Sequence, residues 1–282
     1  NINKDLIMKS LCIYHANCAD GFTAAWVVRK ALGEDNVEFY PGFYQTSPPD
    51  VTGREVILVD FSYKRPVLEQ MRDKAKSILI LDHHKSAWDD LKDLPGVTSV
   101  FDMYRSGARI TWDHYFPGKI APQVLYHIED RDLWKFDLQK TREIQAAIFS
   151  YEYDFNIWDK FMSLHKDHLD NLSNEGAAIE RKHFKDIREL LTVVTRRMNI
   201  AGHNVPVANL PYIYSSDAGH ILGENEPFAA CYWDTPTGRV FSLRSSETGV
   251  DVSDIAKQFG GGGHKHASGF EISYEEAKKF EI

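Results

Sequence analysis

Cysteine is scarce in this 282-residue chain, with only Cys12, Cys18 and Cys231. A set that is odd in number and lacks zinc-type spacing argues against a disulfide framework and fits a reducing compartment. Long apolar runs are missing as well. No stretch reaches the roughly 18 residues of a membrane span, so no membrane partner is expected. The opening residues, NINKDLIMKS, lack an apolar core followed by a cleavage-like site. They read as an extension ahead of Met8 and not as a secretion signal, which makes the expected location cytoplasmic. Basic residues are outnumbered, 33 Lys and Arg against 41 Asp and Glu, for a formal charge of -8. Coating a long nucleic acid needs a broad cationic face, so that function is excluded, whereas a small anionic ligand in a local pocket is not. Repeats, low-complexity tracts and long linkers are also absent.

What is present is an ordinary globular composition, 43% hydrophobic and 26% charged, with room for two domains. SLCIYH is a short apolar run that ends in HANCADG, and FTAAWVVRKAL follows at helical spacing. REVILVDFSY is a second buried-strand run ending near Asp60, followed by a helical RPVLEQMRDKA with Pro66 well placed at its start. SILILDHH is a third such run, in which the apolar residues stop at Asp82, His83 and His84. The alternation predicts an α/β fold whose parallel sheet is covered by helices on both faces. SGARITWDHYF and PQVLYHIEDRDLW read as two further helices, the second closing in an acidic cluster with Asp130 and Asp132.

Residues 1–165 are therefore expected to form the larger α/β domain. Residues 166–200 read as a helical connector with Leu172, Ile179, Phe184, Ile187, Leu191 and Val194 on one stripe. Residues 201–282 turn to short strands, with a hairpin turn around Pro236 to Gly238, and form a smaller α/β domain.

Ligands of open parallel sheets bind beyond the carboxyl ends of the strands, where His15, Asp60 and the Asp82–His84 group all fall. Carboxylates that converge are costly unless a cation or proton neutralises them. Imidazole mixed with carboxylate and no thiolate cluster suits Mn²⁺, Mg²⁺, Fe²⁺ or catalytic Zn²⁺. The glycine run Gly260–Gly263 is followed by His264. Such a run lets backbone N–H groups approach an anion, and Arg244 in SLRSS offers a planar fork to phosphate. Arg105, Ser106 and Arg109, in YRSGARI, lie at a helix start that can face the same cleft.

These segments resemble the DHH phosphoesterases. YHANCADGFTAA is similar to that family's first motif, ILVDFS to its second, LDHHKSA to its third and IEDRDLW to its fourth, in the family's order. FGGGGHKHASGF, with the upstream FSLRSS, resembles the DHH-associated substrate-binding domain. The resemblance implies a centre of one or two Mn²⁺ ions, with Mg²⁺ or Co²⁺ as substitutes. His15, Asp20, Asp60, His83 and Asp130 would be its ligands, Asp60 would bridge, and Asp132 is close enough to exchange with Asp130. It further implies that His84 faces the substrate phosphate, that Asp82 orients the histidines, and that Arg244, Gly262, Gly263 and His264 grip a nucleotide; Ser106, from its helix start, is a further substrate-binding candidate. The family's usual acid two residues before Asp20 is replaced here by Cys18, so a thiolate, the Asn17 amide or a weakened second site are the alternatives.

The implied activity is phosphodiester hydrolysis, in which a metal-activated water attacks phosphorus and short oligonucleotides are cut to nucleotides. A bisphosphonucleotide phosphatase or a cyclic or linear dinucleotide phosphodiesterase uses the same chemistry, and a non-catalytic nucleotide-binding protein is the alternative from another class. Pyrophosphate hydrolysis is disfavoured by the nucleotide-gripping form of the second domain. No sequence feature opposes a homodimer.

Overall fold

A computed structural model describes residues 8–282 of the chain. The reading of the first residues as an extension falls on positions 1–7, outside the described residues. The chain divides into two compact units, Asn1–Glu180 and Arg181–Ile282.

In the first unit the order is β1 (Ser10–His15), α1 (Ala19–Leu32), β2 (Val37–Gly42), β3 (Glu55–Val59), α2 (Arg65–Lys74), β4 (Ser77–Asp82), α3 (Lys85–Leu91), β5 (Thr98–Phe101), α4 (Gly107–Tyr115), α5 (Gln123–Asp132), α6 (Thr141–Ile148) and α7 (Phe155–Met162). The strands form one parallel sheet in the order β2-β1-β3-β4-β5. Its apolar runs are continuous because both faces are buried and successive side chains alternate between them. Leu11, Ile13, Val56, Leu58, Ile78 and Ile80 pack on one side with Leu68, Met71 and Leu91. Cys12, Ile57, Val59 and Leu81 pack on the other with Phe22, Ala108, Val124 and Ile128. Because β2 and β3 lie on opposite sides of β1, the order reverses there, and the carboxyl ends of β1 and β3 open a crevice suited to a ligand.

The helices follow local rules. α1 carries Asp20 in its first turn and Arg29 and Lys30 in its last, complementing the backbone dipole. Pro66 stands in the first turn of α2, as its fixed φ favours.

The helix α8 (Lys166–Val194) contains the boundary between the units. Its apolar stripe serves two cores: Leu172 joins that of the first unit, and Ile187 packs with Ala208, Leu210 and Ala218 of the second.

The second unit continues with β6 (Thr195–Ile200), β7 (His203–Asn209), α9 (Ser215–Gly223), β8 (Ala229–Asp234), β9 (Arg239–Arg244), α10 (Val252–Lys257), β10 (Gly262–His264), β11 (Ala267–Ile272) and α11 (Tyr274–Lys278). Its mixed sheet runs β10-β11-β9-β8-β7-β6, with β7 and β8 parallel and the other pairs antiparallel. The expected hairpin joins β8 to β9, closed by the Thr235 N–H donating to the Gly238 carbonyl at 2.8 Å. Phe228, Phe241, Phe270 and Phe280 fill the core on one face. Among the described residues, no helix is long and apolar enough to cross a membrane.

Candidate metal centre

Three parallel strands deliver their chemistry to one end of the sheet. His15 is the last residue of β1, Asp60 follows β3, and Asp82 ends β4 with His83 and His84 immediately after it. Asp60 is 1% exposed and holds φ at +53°, in the left-handed region that few non-glycine residues adopt. Its N–H donates to the Leu81 carbonyl at 2.9 Å, which ties the turn to β4. Gly107 explains how α4 comes so near, since a Cβ there would lie 2.5 Å from the Asp60 Cβ.

The two oxygens of Asp60 face different groups. Oδ2 lies 3.4 Å from His15 Nδ1 and 3.6 Å from Cys18 Sγ. Oδ1 lies 3.0 Å from His83 Nε2. That same nitrogen is 3.4 Å from Asp20 Oδ2 and 3.3 Å from Asp132 Oδ2. Two sets of ligand-type atoms result, His15–Cys18–Asp60 and Asp20–His83–Asp132, each gathered within 4.8 Å.

Asp20 is held by the amino end of α4: Gly107 N–H donates to Oδ2 and Ala108 N–H to Oδ1, both at 2.8 Å. These donors are the ones a helix start leaves unsatisfied, and each carboxylate oxygen keeps a second lone pair. Asp82 Oδ1 accepts the His83 N–H at 2.8 Å and lies 2.6 Å from His84 Nδ1. His84 Nε2 in turn stands 3.3 Å from the Tyr44 hydroxyl.

Charge is unevenly carried. Burial opposes ionisation of Asp60, yet His15 and His83 outweigh it and hold this carboxyl well below the usual carboxylate range. Burial and the Asp60 charge push Asp20 up, and withdrawal from water with the Asp20 charge pushes Asp132 well up. Burial works against protonation of His83 and His84, but Asp132, Asp20 and Asp60 around the first and Asp82 beside the second raise both.

The donors fit divalent cations. His15 Nδ1, Asp60 Oδ1, Asp82 Oδ2 and Asp132 Oδ2 are buried atoms with no hydrogen-bond partner among the described residues. Leaving such an atom unsatisfied costs about 1–3 kcal/mol. Lone pairs on nitrogen, oxygen and one sulfur, converging from three strand ends, the start of α1 and the end of α5, are what a cation would satisfy.

Of the sequence-derived ligands, His15, Asp20, Asp60 and His83 are brought together, and Asp130 is not. The Asp130 carboxylate accepts the N–H groups of Asp137 at 2.8 Å and Leu138 at 3.0 Å and the Thr141 hydroxyl at 2.6 Å, fixing the loop after α5. Asp132 stands in the cluster instead. Ser106 is fully buried and caps α4, its Oγ accepting the Arg109 N–H at 3.1 Å, so its hydroxyl does not reach a cleft. Arg105 pairs with Asp102 and Asp113, and Arg109 with Asp113 and Glu129.

In the second unit, Arg244 ends β9, and its guanidinium donates to Ser242 Oγ at 3.0 Å, the Leu243 carbonyl at 2.8 Å and Ser216 Oγ at 3.0 Å. Gly262, Gly263 and His264 form β10, the edge strand next to β11. Gly263 has φ +144°, and a Cβ there would lie 2.6 Å from the Ala267 carbonyl oxygen. Tyr44 escaped the sequence reading, because it lies in a loop with no periodicity to mark it.

Residues 218–281 match the DHHA1 domain. The chain is 32% identical, over 96% of its own length and 69% of the relative's, to an uncharacterized protein of Acanthamoeba polyphaga mimivirus. Among solved structures it is similar to RecJ in complex with Mn²⁺ from Thermus thermophilus, with a TM-score of 0.51, 14% identity, and coverage of 95% of this chain and 50% of that one. It is also similar to CDC45 from Entamoeba histolytica, with a TM-score of 0.50, 10% identity, and coverage of 96% and 93%. Motif order, fold and relatives converge: the chain belongs to the DHH phosphoesterase family.

Proposed function

We propose that the protein is a divalent-cation-dependent phosphodiesterase that hydrolyses short oligonucleotides to nucleotides. The observation that carries this reading is Asp60, whose two oxygens face separate donor sets. His15, Asp20, Asp60, His83 and Asp132 would hold the cations. Mn²⁺ is the ion of choice for the oxygen-rich set, in keeping with its presence in the RecJ structure of similar fold. Bound there, such a pair of ions supplies a water of lowered pKa and neutralises charge on a phosphate.

The chain's own side chains do the positioning. Asp82 accepts from His84 Nδ1–H, which fixes the ring and favours its cationic form. Nε2–H is then a donor to a phosphate oxygen, so that charge developing in the transition state is met by a prearranged group. In the second unit, Arg244 is held by Ser216 and Ser242. Its planar fork, with His264 and the glycine edge, would bind the nucleotide. The formal charge of -8 favours short substrates, since a long polyanion is repelled outside the site.

A 5′-phosphorylated dinucleotide incubated with the protein and Mn²⁺ is expected to release mononucleotides, and EDTA to stop the release. Tight binding without turnover would replace this reading with a nucleotide-binding protein. Release of phosphate alone from a bisphosphonucleotide would replace it with a phosphatase. A length series from dinucleotide to long strand should show rates that fall with length.

A further inference from the structure

Cys18 is the helix N-cap of α1, a position that Ser, Thr, Asp or Asn fills better. Its side chain makes no capping hydrogen bond. The sulfur is instead 3.6 Å from Asp60 Oδ2 and belongs to the same tight set as His15. The other two cysteines behave differently. Cys12 and Cys231 are fully buried packing residues, and burial pushes all three thiols up, so position and not acidity sets Cys18 apart. Cys18 alone is partly open and sits among charged groups. Beside it, His15 Nδ1 has no hydrogen-bond partner among the described residues, and Asp60, a residue only 1% exposed, turns Oδ2 to the sulfur while its other oxygen, Oδ1, facing the second donor set, has none either.

We propose that Cys18 is a thiolate metal ligand and that it makes the two cation positions chemically unequal. The position formed by His15, Cys18 and Asp60 Oδ2 takes a borderline-soft ion such as Zn²⁺, Fe²⁺ or Co²⁺. The position formed by Asp20, His83, Asp132 and Asp60 Oδ1 takes a harder one such as Mn²⁺ or Mg²⁺. Thiolate with imidazole selects the first group of ions, and a carboxylate-rich set suits the second. The thiol proton leaves to solvent as the ion binds, because a coordinating thiol is deprotonated outright. The inference rests on the metal-centre reading but not on any particular substrate.

The test uses the full chain, stripped with chelator and titrated with Co²⁺. Thiolate coordination to Co²⁺ gives an intense near-ultraviolet charge-transfer absorption that carboxylate and imidazole do not give. Wild type should develop this band to saturation at one equivalent. Cys18→Ser should lose the band while still binding Co²⁺ at the second set, with an unchanged circular dichroism spectrum. Should that variant fail to fold, Cys18→Asp carries the test. It should lack the band and shift the competition between Zn²⁺ and Mn²⁺ toward Mn²⁺ by at least ~10-fold, since even loss of an outer partner costs roughly 10–100-fold in affinity. Co²⁺ binding to wild type without the band, or a band that survives in either variant, overturns the proposal. Absence of Co²⁺ binding overturns it together with the metal centre itself, whereas failure to hydrolyse oligonucleotides leaves the band, and the proposal, standing.

Discussion

Oδ2 of Asp132 lies 3.3 Å from Nε2 of His83, while Asp130, two residues earlier on the same helix, turns its carboxylate to the backbone of residues 137 and 138. Residues two apart on a helix point roughly 200° apart, so only one of the two acids can face the cluster. Asp132→Asn should therefore lower bound Mn²⁺ and turnover with little effect on melting temperature. Asp130→Ala should do the reverse: about 2–4 kcal/mol of stability lost to unsatisfied buried donors, with metal binding retained. Metal analysis and thermal unfolding of the two variants separate the roles, and equal metal loss in both would contradict the assignment.

Removal of Asp60 acts on both donor sets at once. Asp60→Ala is expected to reduce the bound cation at both positions and to lower turnover by at least ~10²-fold, the scale on which one prearranged charge-stabilising group matters. An active Asp60→Ala protein would remove the bridging role.

Tyr44 reaches the site through the hydrogen bond between its hydroxyl and His84. A hydrogen bond to a charged group such as cationic His84 contributes about 1.5–3 kcal/mol. Tyr44→Phe should thus slow turnover by roughly 10–100-fold with bound metal unchanged, and His84→Ala should cost more. A Tyr44→Phe variant as impaired as His84→Ala would assign the hydroxyl a larger part.

The metal-free protein should be less stable at high pH. His83 and His84 are raised, so their stabilising contribution is complete below the unfolded value of about 6.5 and is lost as pH climbs through their folded values. Asp20 and Asp132 are raised too, so the folded state also binds more protons than the unfolded one above about 3.9. Asp60 is lowered; its contribution is complete above about 3.9 and does not vary near neutrality. The melting temperature of EDTA-treated protein should fall from pH 6 to pH 9, and Mn²⁺ should raise it most at the alkaline end, where protons compete least for the ligands. A stripped protein that grows more stable over this range would refute the balance.

Arg244 is anchored by Ser216, Ser242 and the Leu243 carbonyl, with its stem against Gly219. Arg244→Ala should raise KM for a dinucleotide by on the order of 10-fold or more, as loss of a charge-assisted hydrogen bond implies, and change kcat less. Arg244→Lys should not rescue, because an ammonium cannot reproduce the fork. An unchanged KM would take this residue out of the site.

The parallel sheet was legible in the sequence because strands buried on both faces must be apolar without a break, and their ends are marked where polar residues first appear. The same pattern puts His15, Asp60 and His83 at one edge of the sheet. Segments with weaker patterns, such as α3, β5, α6 and α7, were not marked by the sequence reading, since short elements acquire their stability from packing and not from local preference.

The finer choices belong to the tertiary structure. The motif resemblance points to Asp130 with Asp132 close enough to exchange, and only the phase of α5, set by burial of Val124, Leu125 and Ile128, turns Asp132 to the cluster. Ser106 looks available in sequence but is consumed by the start of α4, and Asp20 is oriented by N–H groups of Gly107 and Ala108, 87 and 88 positions away. The sequence by itself determined which residues stand at strand ends. Where each side chain points, and that Cys18 turns its sulfur to Asp60, was decided by contacts between segments distant along the chain, which local periodicity does not encode.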